Sequence, residues 1–224
     1  MHTSPQTALP SLEALWQETL QWQPNSRQQA LFEQLYEGIL RGNQQLNLTR
    51  ITDPEAFWEK HLWDSLAGIA PWLTQDDSKT VIDIGTGAGF PGLPVAIARP
   101  RDRVTLLDST HKKIAFLDTL IAELGLTNVT TLTARAEALK PQPAQFDLAL
   151  IRAVGKAQTC AAYTLPLLKP GGIAVLYRGR WSDDEAAAVT QTALQYGGVT
   201  ESVVQLTLPQ SQGIRHCVYL RRQD

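Results

Sequence analysis

Apolar residues recur at helical spacing through the first part of the chain. One apolar stripe predicts a helix over 11–22, and a second predicts a helix over 26–41 that ends at Gly42. The segment 53–55, Asp-Pro-Glu, supplies an N-cap, a first-turn proline and an early acid for a third helix. These helices form a layer too thin to bury its own apolar face, so we expect the layer to pack on the remainder of the chain.

After this layer, short apolar strands alternate with helical segments. The predicted strands are 81–84, 104–107, 129–132, 146–151 and 173–177, and the predicted helices are 91–98, 112–124 and 156–168, the last ended by Lys169-Pro170-Gly171-Gly172. Such alternation predicts a mostly parallel sheet with helices on both faces. Beyond a helix over 183–196, the runs 199–206 and 216–220 are joined without a helix, which predicts an antiparallel hairpin on one edge.

The pattern therefore predicts the α/β class, with a mostly parallel seven-stranded sheet and a C-terminal antiparallel hairpin. We expect residues 1–72 to form the helical layer and residues 73–224 to form the core, packed together as one compact unit.

Length and composition narrow the function classes. A chain of 224 residues with 43% hydrophobic content can form one domain with a full core. Lys and Arg number 20 against 22 Asp and Glu, so the net charge of -2 gives no overall basic field for nucleic acid, although local patches stay open. Cys160 and Cys217 are isolated, which argues against disulfides and zinc. The polar start and the lack of a long apolar run predict a cytoplasmic protein without a membrane anchor.

A glycine loop at 81–92, Val-Ile-Asp-Ile-Gly-Thr-Gly-Ala-Gly-Phe-Pro-Gly, joins a buried strand to a helix start. Glycine lacks a Cβ and tolerates positive φ, so an adenosine-like ligand can lie against the main chain there. The spacing resembles the dinucleotide fingerprint, which alone is weak evidence. Asp83 would face a pyrophosphate unfavourably but would suit an ammonium or sulfonium group, and Asp108 ends the next strand, where a carboxylate can grip a ribose diol. Together these features favour S-adenosylmethionine over NAD.

Ligands of such sheets bind at the carboxyl ends of the strands. The candidate cofactor-binding residues at four successive strand ends are Asp83, Gly85, Gly87 and Phe90; Asp108, Ser109 and Thr110; Arg135, Ala136 and Glu137; and Arg152. We expect Asp83 and the glycine loop near the methionine part, Asp108 at the ribose, 136–137 at the adenine edge, and Phe90 as an apolar wall. Ser109 and Thr110 are equally suited to capping the next helix, and Glu137 alone is typical of a solvated helix residue.

Several short motifs are more specific than the glycine loop, which many methyltransferases share. They are Asn47-Leu48-Thr49, Lys60-His61-Leu62-Trp63-Asp64-Ser65, Phe90-Pro91-Gly92, Leu106-Leu107-Asp108-Ser109, Phe116-Leu117, Arg135-Ala136-Glu137, Arg152-Ala153 and Arg215-His216. Through them, residues 43–222 resemble the bacterial small-subunit ribosomal RNA guanine-N7 methyltransferase family, also known as glucose-inhibited division protein B. The family more often has Lys-Gly after the fifth strand. This chain has Tyr177-Arg178-Gly179. Arginine keeps the positive charge of the lysine, but its planar guanidinium differs in shape from a compact ammonium group.

The resemblance implies a Rossmann-like class I fold, S-adenosylmethionine as the cofactor and 16S rRNA as the partner, in the small ribosomal subunit or a precursor. It also implies cofactor contacts, which come from Gly85, Phe90, Ala136, Glu137 and Arg152, with Asp108, Ser109 and Thr110 as further contacts. We expect no metal and a monomer.

The implied reaction agrees with what the residues lack. Methylation of an exocyclic amine usually goes with Asn/Asp-Pro-Pro-aromatic after the fourth strand, where this chain has Ile-Arg-Ala-Val, and Cys160 lies in a predicted helix rather than on a loop as a nucleophile would. Guanine N7 already carries a lone pair, so positioning can replace a general base. Arg152 is the candidate catalytic residue, expected to hold the guanine or the cofactor carboxylate; a surface ion pair is the competing interpretation.

Contact with RNA must come from local basic groups. We prefer Arg178 and Arg180 as phosphate contacts, with Arg215 of the final hairpin as a third candidate, although a solvated face would explain each of them singly. Two alternatives stay open: a methyltransferase for a small molecule or a protein, favoured by the acidic balance, and a non-catalytic ribosome-assembly module that retains the fold. An NAD oxidoreductase fits less well, because no Ser/Tyr/Lys catalytic set is recognisable.

Overall fold

A seven-stranded sheet organises the chain in a computed structural model that describes residues 8–139 and 145–223. The strands are β1 (Thr80–Ile84), β2 (Arg103–Asp108), β3 (Val129–Thr133), β4 (Phe146–Arg152), β5 (Leu168–Arg178), β6 (Gly198–Thr207) and β7 (Ile214–Arg222). Their order across the sheet is β3-β2-β1-β4-β5-β7-β6. The first five strands pair in parallel, and β7 pairs antiparallel with both β5 and β6. The predicted parallel sheet and antiparallel hairpin are therefore confirmed.

Helices cover both faces of the sheet. The α-helices are α1 (Glu13–Leu20), α2 (Ser26–Leu46), α3 (Pro54–Phe57), α4 (Asp64–Ala67), α5 (Gly92–Ala98), α6 (His111–Glu123), α7 (Ala157–Thr164) and α8 (Asp183–Gln195). A π-helical turn, Trp58–Trp63, joins α3 to α4, and 3-10 turns lie at Ala70–Trp72, Ala136–Ala138 and Leu165–Leu167. Successive strand residues point to opposite faces, so each face of β1, β4 and β5 packs into its own apolar cluster.

The N-terminal helices pack on one face of the sheet together with α5 and α6. Their aromatic residues Trp16, Phe32, Phe57 and Trp58 are at most 1% exposed and belong to the same cluster as the inward residues of β1 and β2. Two tyrosines of the sheet reach into this layer. Tyr177 donates to the carbonyl of Ser65 at 2.8 Å and Tyr219 donates to the carbonyl of Gly68 at 3.1 Å. The helical layer is thereby attached to the two strands β5 and β7.

Two predicted boundaries are wrong, and both involve glycine. Helix α2 continues past Gly42 and ends at Leu46, with Asn47 in the left-handed region. Gly42 instead allows close packing, since a Cβ there would lie 2.2 Å from the ring of Phe116 on α6. The segment 169–172 does not end a helix either, because β5 already begins at Leu168 and accommodates these residues where its register with β4 shifts.

Two predicted helix caps differ in outcome. Asp53 caps α3, as predicted, by accepting a hydrogen bond from the amide of Ala56. Thr110 occupies the N-cap of α6, but its side chain makes no capping hydrogen bond.

Across residues 8–139 and 145–223, no helix is both long enough and apolar enough to cross a membrane. The polar start at 1–7 lies outside the described residues.

Gln28 attaches the helical layer to the core, and its substitution tests how much this attachment stabilises the fold. Its side-chain oxygen accepts from Asn25 in a capping box, and its nitrogen donates to the carbonyls of Ile97 at 3.1 Å and Ala98 at 2.9 Å. Gln28→Ala leaves those buried groups unpaired, so we expect it to lower the free energy of unfolding by about 2–3 kcal/mol in urea titrations.

The matched control is Gln29→Ala, in the same turn. Its side chain reaches only Glu33, at 3.4 Å on the surface, and we expect a change below about 0.5 kcal/mol. Equal effects of the two substitutions would contradict the proposed attachment.

Candidate active site

Asp83 holds the glycine loop from beneath. Its carboxylate is fully buried, and Oδ2 accepts from the hydroxyl of Thr86 at 2.6 Å and from the amide of Gly92 at 2.8 Å. These bonds connect the end of β1 to the first residue of α5. The sequence pattern assigns Asp83 to the ligand, whereas in the structure one oxygen of its carboxylate closes the glycine loop.

The second oxygen of Asp83 is available for a further partner. Oδ1 is buried and makes no hydrogen bond among the described residues. Burial raises the pKa of Asp83 to about 6, against the lowering effects of Thr86, Gly92 and the nearby Arg152. A buried carboxylate oxygen without a donor is suited to a cationic ligand group such as an ammonium.

Asp108 holds the top of the same loop. Its Oδ2 accepts from the amide of Gly87 at 3.0 Å, and its Oδ1 accepts from the amide of Thr110 at 2.8 Å. The carboxylate therefore connects the loops that follow β1 and β2. Each oxygen can accept more than one hydrogen bond, so the group can also receive hydroxyl donors from a ligand.

A cavity of about 380 Å³ opens at the carboxyl ends of β1 to β4, and we call it the first cavity. Its lining includes Gly85, Asp108, Ser109, Thr110, Ala136 and Glu137, all of them predicted cofactor residues. Lys113, Arg135, Val154 and Tyr163 also line it. At Gly87 a Cβ would have only one neighbour, the carbonyl oxygen of Gly85 at 3.9 Å, so a ligand can approach the main chain there.

Phe90 and Arg152 lie outside the lining of the first cavity. Phe90 is only 5% exposed, and its ring stacks on His61 at 4.3 Å between centroids, with 9° between the planes. The guanidinium carbon of Arg152 lies 5.8 Å from the centroid of the Phe90 ring. The apolar wall predicted for Phe90 is therefore covered by a histidine of the helical layer.

The π-helical turn brings His61 to the sheet, and Asp64 follows the turn as the first residue of α4. Such turns re-aim side chains and are frequent at functional sites. Nε2 of His61 lies 2.9 Å from the hydroxyl of Thr49. Burial, and secondly the charge of Arg152, lower the pKa of His61 to about 3, so the ring is neutral at physiological pH and a weak proton acceptor.

A second cavity, of about 480 Å³, lies beside the first. Its lining is Ile51, Lys60, His61, Asp64, Arg152, Ala153, Tyr177, Arg178, Gly179 and Arg215. Ala153 lines both cavities, and it has a φ of 58°, in the left-handed region that side chains rarely adopt. Backbone strain of this kind occurs at binding sites. The loop after β4 therefore separates two adjoining cavities, which suits a reaction between two ligands.

Asp64 connects two predicted arginines in the second cavity. Arg152 donates to its Oδ2 at 3.0 Å and to the carbonyl of Lys60, also at 3.0 Å. Nε of Arg215 lies 3.4 Å from Oδ1. Arg152 is thus half-buried in an ion pair inside the site, and Asp64 is only 5% exposed.

Arg178 and Arg180, the phosphate contacts preferred on sequence grounds, differ in environment. Arg178 donates to Glu185 at 2.7 Å and to the carbonyl of Gly155 at 3.0 Å, so two of its three nitrogens have partners within the chain. Arg180 is exposed. The structure therefore shows Arg178 half-buried and partnered within the chain, and Arg180 exposed.

The sequence pattern missed several residues of the two cavities. Tyr163 lines the first cavity and donates to the carboxylate of Glu137, which lowers the pKa of that carboxyl group. Nothing in the local pattern of α7 distinguishes Tyr163. His61 and Asp64 stood in a family motif without an assigned role, and that motif was the available signal. In residues 8–139 and 145–223, no three His, Cys, Asp or Glu side chains are grouped to hold a metal ion.

Comparisons with known proteins agree with this geometry. The family GidB, described as rRNA small subunit methyltransferase G, matches residues 28–217. "Ribosomal RNA small subunit methyltransferase G" of Nostoc punctiforme is 57% identical over 220 residues, which cover 96% of this chain and 90% of that protein. The protein of the same name from Synechococcus elongatus is 58% identical over 210 residues, or 92% and 87% of the two chains.

A solved structure, M. jannaschii TYW2 in complex with AdoMet, is similar with a TM-score of 0.55 and 16% identity, over 69% of this chain and 72% of that chain. The likeness confirms the predicted fold class, a Rossmann-like class I methyltransferase fold.

Asp83 predicts an unusual pH dependence of stability. Its folded pKa of about 6 lies above the unfolded value of roughly 3.9, so between these values the folded state holds the proton more tightly and stability falls as pH rises. Asp83→Asn keeps an oxygen for Thr86 and Gly92 but cannot titrate. We therefore expect the stability of Asp83→Asn relative to wild type to increase from pH 4 to 6 and to level off above pH 7.

The measurement is urea unfolding of both proteins at each pH, and the difference between them cancels the contributions of other groups. A difference that does not change with pH would show that Asp83 titrates like an exposed carboxyl group.

Proposed function

The chain belongs to the rRNA small subunit methyltransferase G family, and from this premise we propose that it methylates N7 of a guanine in 16S rRNA. The enzyme takes the methyl group from S-adenosylmethionine and transfers it to ribosomal RNA of the small subunit. Family membership does not favour the alternatives of another acceptor or of a non-catalytic module. The single observation that carries the finer proposal is the pair of adjoining cavities that meet at Ala153.

The first cavity is proposed to hold S-adenosylmethionine. Asp108, in its lining, offers acceptors for the ribose hydroxyls. Oδ1 of Asp83, buried beneath the glycine loop and outside that lining, is the proposed acceptor for the ammonium group. Ala136 and Glu137 also line the cavity and are proposed to contact the adenine, with Ser109 and Thr110 as further contacts. When bound, S-adenosylmethionine supplies an electrophilic methyl group on a sulfonium.

The second cavity is proposed to hold the guanine. N7 of guanine has a lone pair in the ring plane and no proton to lose, so no general base is required. This matches the residues present, because His61 has a pKa of about 3 and is a poor base at neutral pH. The protein therefore acts by orienting the base, excluding water and aligning the reacting atoms.

Arg152 is proposed to orient the ligands of both cavities. It stands at the end of β4, next to Ala153, and Lys60 and Asp64 hold its guanidinium in place. A planar guanidinium with fixed partners can present its remaining N–H groups to a base oxygen or to a carboxylate in one geometry. Its role is positioning rather than proton transfer.

RNA is proposed to bind at the carboxyl edge of the sheet. The basic residues that line the two cavities and make no ion pair within the described chain are Lys60, Lys113 and Arg135. Four more cations without an ion pair lie within two residues of a lining residue along the chain: Arg50, Lys112, Lys156 and Arg180. At the opposite edge, Lys79, Arg99 and Arg101 are paired with aspartates. A chain of net charge -2 can therefore still present cations on the side where the cavities open.

The phosphate contacts are placed on Arg180 and Arg215. Arg178 is already paired with Glu185 and Gly155, so its contribution is to hold the strand end. The proposed acting unit is a monomer. The proposed substrate is the small subunit or a precursor of it, and the proposed location is the cytoplasm, where ribosomes are.

The proposal predicts one N7-methylguanine in 16S rRNA. Purified enzyme and labelled S-adenosylmethionine are incubated with small subunits and, separately, with deproteinised rRNA, both from cells lacking the enzyme. Borohydride and aniline treatment should then cleave the rRNA at a single position. Cofactor binding without label in either substrate would overturn the assignment, and the better-labelled form identifies the substrate.

Arg152→Lys tests the positioning role. Lysine keeps the charge but loses the planar fork, so we expect kcat/KM to fall about 10- to 100-fold, as misplacement of reacting groups does. Cofactor affinity, measured by calorimetry, should also fall, because Arg152 is proposed to orient the ligands of both cavities. Arg101→Lys is the matched control, since Arg101 is exposed at the opposite edge of the sheet. An Arg152→Lys enzyme with wild-type turnover would contradict the role.

A further inference from the structure

Three strands place Arg152, Tyr177 and Cys217 side by side, because these residues are paired across β4, β5 and β7. Side chains alternate along a strand, so Arg215 lies on the same face as Cys217. Arg152 and Arg215 therefore flank the end of β5 on the face that is covered by the helical layer. Asp64, at the start of α4, lies between them and contacts both.

Gly179 lies beside the guanidinium of Arg215. It comes directly after the last residue of β5, and a Cβ built on it would lie 3.7 Å from Nη1 of Arg215, an ordinary van der Waals distance. The guanidinium of Arg215 thus lies next to the end of β5, where a small side chain would also fit.

The two arginines are held unequally. Arg152 lies 3.0 Å from Asp64, has a second bond to the carbonyl of Lys60, and has a side chain that is 15% exposed. Arg215 lies 3.4 Å from Asp64 and has a side chain that is 29% exposed. Its other contact is a long bond of 3.3 Å to the carbonyl of its neighbour Ile214. Within the described residues, Nη2 of Arg215 makes no hydrogen bond.

This inequality determines which arginine can leave. A buried carboxylate that loses its only cation is strongly destabilised. Asp64 stays paired with Arg152 when Arg215 leaves, so its buried carboxylate still has a cationic partner. Arg215 can therefore exchange its carboxylate for another anion at low cost.

We propose that Arg215 binds an RNA phosphate next to the target guanine, and that Asp64 is the positioning residue that holds Arg215 over Gly179 until the RNA arrives. The inference rests on the proposed function, since the anion is a phosphate of the substrate RNA. On binding, the guanidinium of Arg215 exchanges the Asp64 carboxylate for the phosphate, while Arg152 stays paired. No covalent bond changes in this step.

A double-mutant cycle tests the exchange. Wild type, Asp64→Asn, Arg215→Ala and the double variant are compared for binding to small ribosomal subunits that lack the methyl group, at several KCl concentrations. We expect Asp64→Asn to tighten binding about two- to fivefold, the contribution of one partly exposed ion pair, and only when Arg215 is present. Arg215→Ala should weaken binding and lower the salt dependence by about one phosphate contact. The double variant should bind like Arg215→Ala.

Two results would overturn the proposal. Tightening by Asp64→Asn that persists without Arg215 would show a general effect of charge. Weaker binding of Asp64→Asn in both backgrounds would show that Asp64 only supports the fold. Glu55→Gln is the matched control, because Glu55 is an exposed acid of the same helical layer, and binding should not change.

A second measurement does not depend on the folding of Asp64→Asn. Because Asp64 and Arg152 stay paired in Arg215→Ala, this variant should have a raised KM for small subunits and a kcat near that of wild type. A large loss of kcat would show that Arg215 supports the reacting groups, and it would contradict the exchange. Methylation by wild type is measured in parallel. If wild type binds small subunits without methylating them, the proposed function is refuted. The double-mutant cycle measures binding alone, so it still tests the exchange.

Discussion

Two buried carboxylates determine the shape of the site. Asp83 accepts hydrogen bonds from Thr86 and Gly92, and Asp108 accepts them from Gly87 and Thr110. A glycine-rich loop has little side-chain packing of its own and loses much backbone freedom on folding. Three of these hydrogen bonds, from Thr86, Gly87 and Gly92, hold it in one conformation with its main chain open to a ligand, and the fourth, from Thr110, holds the loop after β2. Asp83 and Asp108 thereby keep the loop in the conformation that leaves the first cavity open.

The helical layer completes the site rather than merely covering the sheet. Its π-helical turn presents His61 to Phe90, and the first residue of α4 presents Asp64 to Arg152. The tyrosines of β5 and β7 attach the layer to the strands. Since Arg152 depends on partners from this layer, the second cavity requires both parts of the chain. The chemistry needs alignment and no proton transfer, so a rigid surround of this kind is the main contribution that the protein can make.

Charge is distributed unevenly over a nearly neutral chain. At the amino ends of the strands, Lys79, Arg99 and Arg101 are paired with Asp76, Asp77 and Asp102, and Arg103 is unpaired; several cations around the two cavities also have no ion-pair partner within residues 8–139 and 145–223. Net charge alone therefore understates the capacity to bind RNA, because a local field acts over roughly 8 Å at physiological salt. Asp64 and Glu185 moderate that field by pairing with Arg215 and Arg178.

The sequence by itself determined the sheet, its hairpin, the glycine loop and the set of strand ends where the first cavity lies. These elements arise from patterns that repeat over a few residues, and parallel strands bring their ends together whatever their partners are. Tertiary structure alone decided that Asp83 faces the loop, that His61 covers Phe90, and that Gly42 lies inside a helix. The contacts of His61 and Gly42 depend on neighbours distant along the chain, and Arg152 and Asp64 are 88 residues apart. The partners of Asp83 are only three and nine residues away, but its carboxylate meets them only once the loop has folded. Local patterns identify candidate residues, but packing decides which group each of them meets.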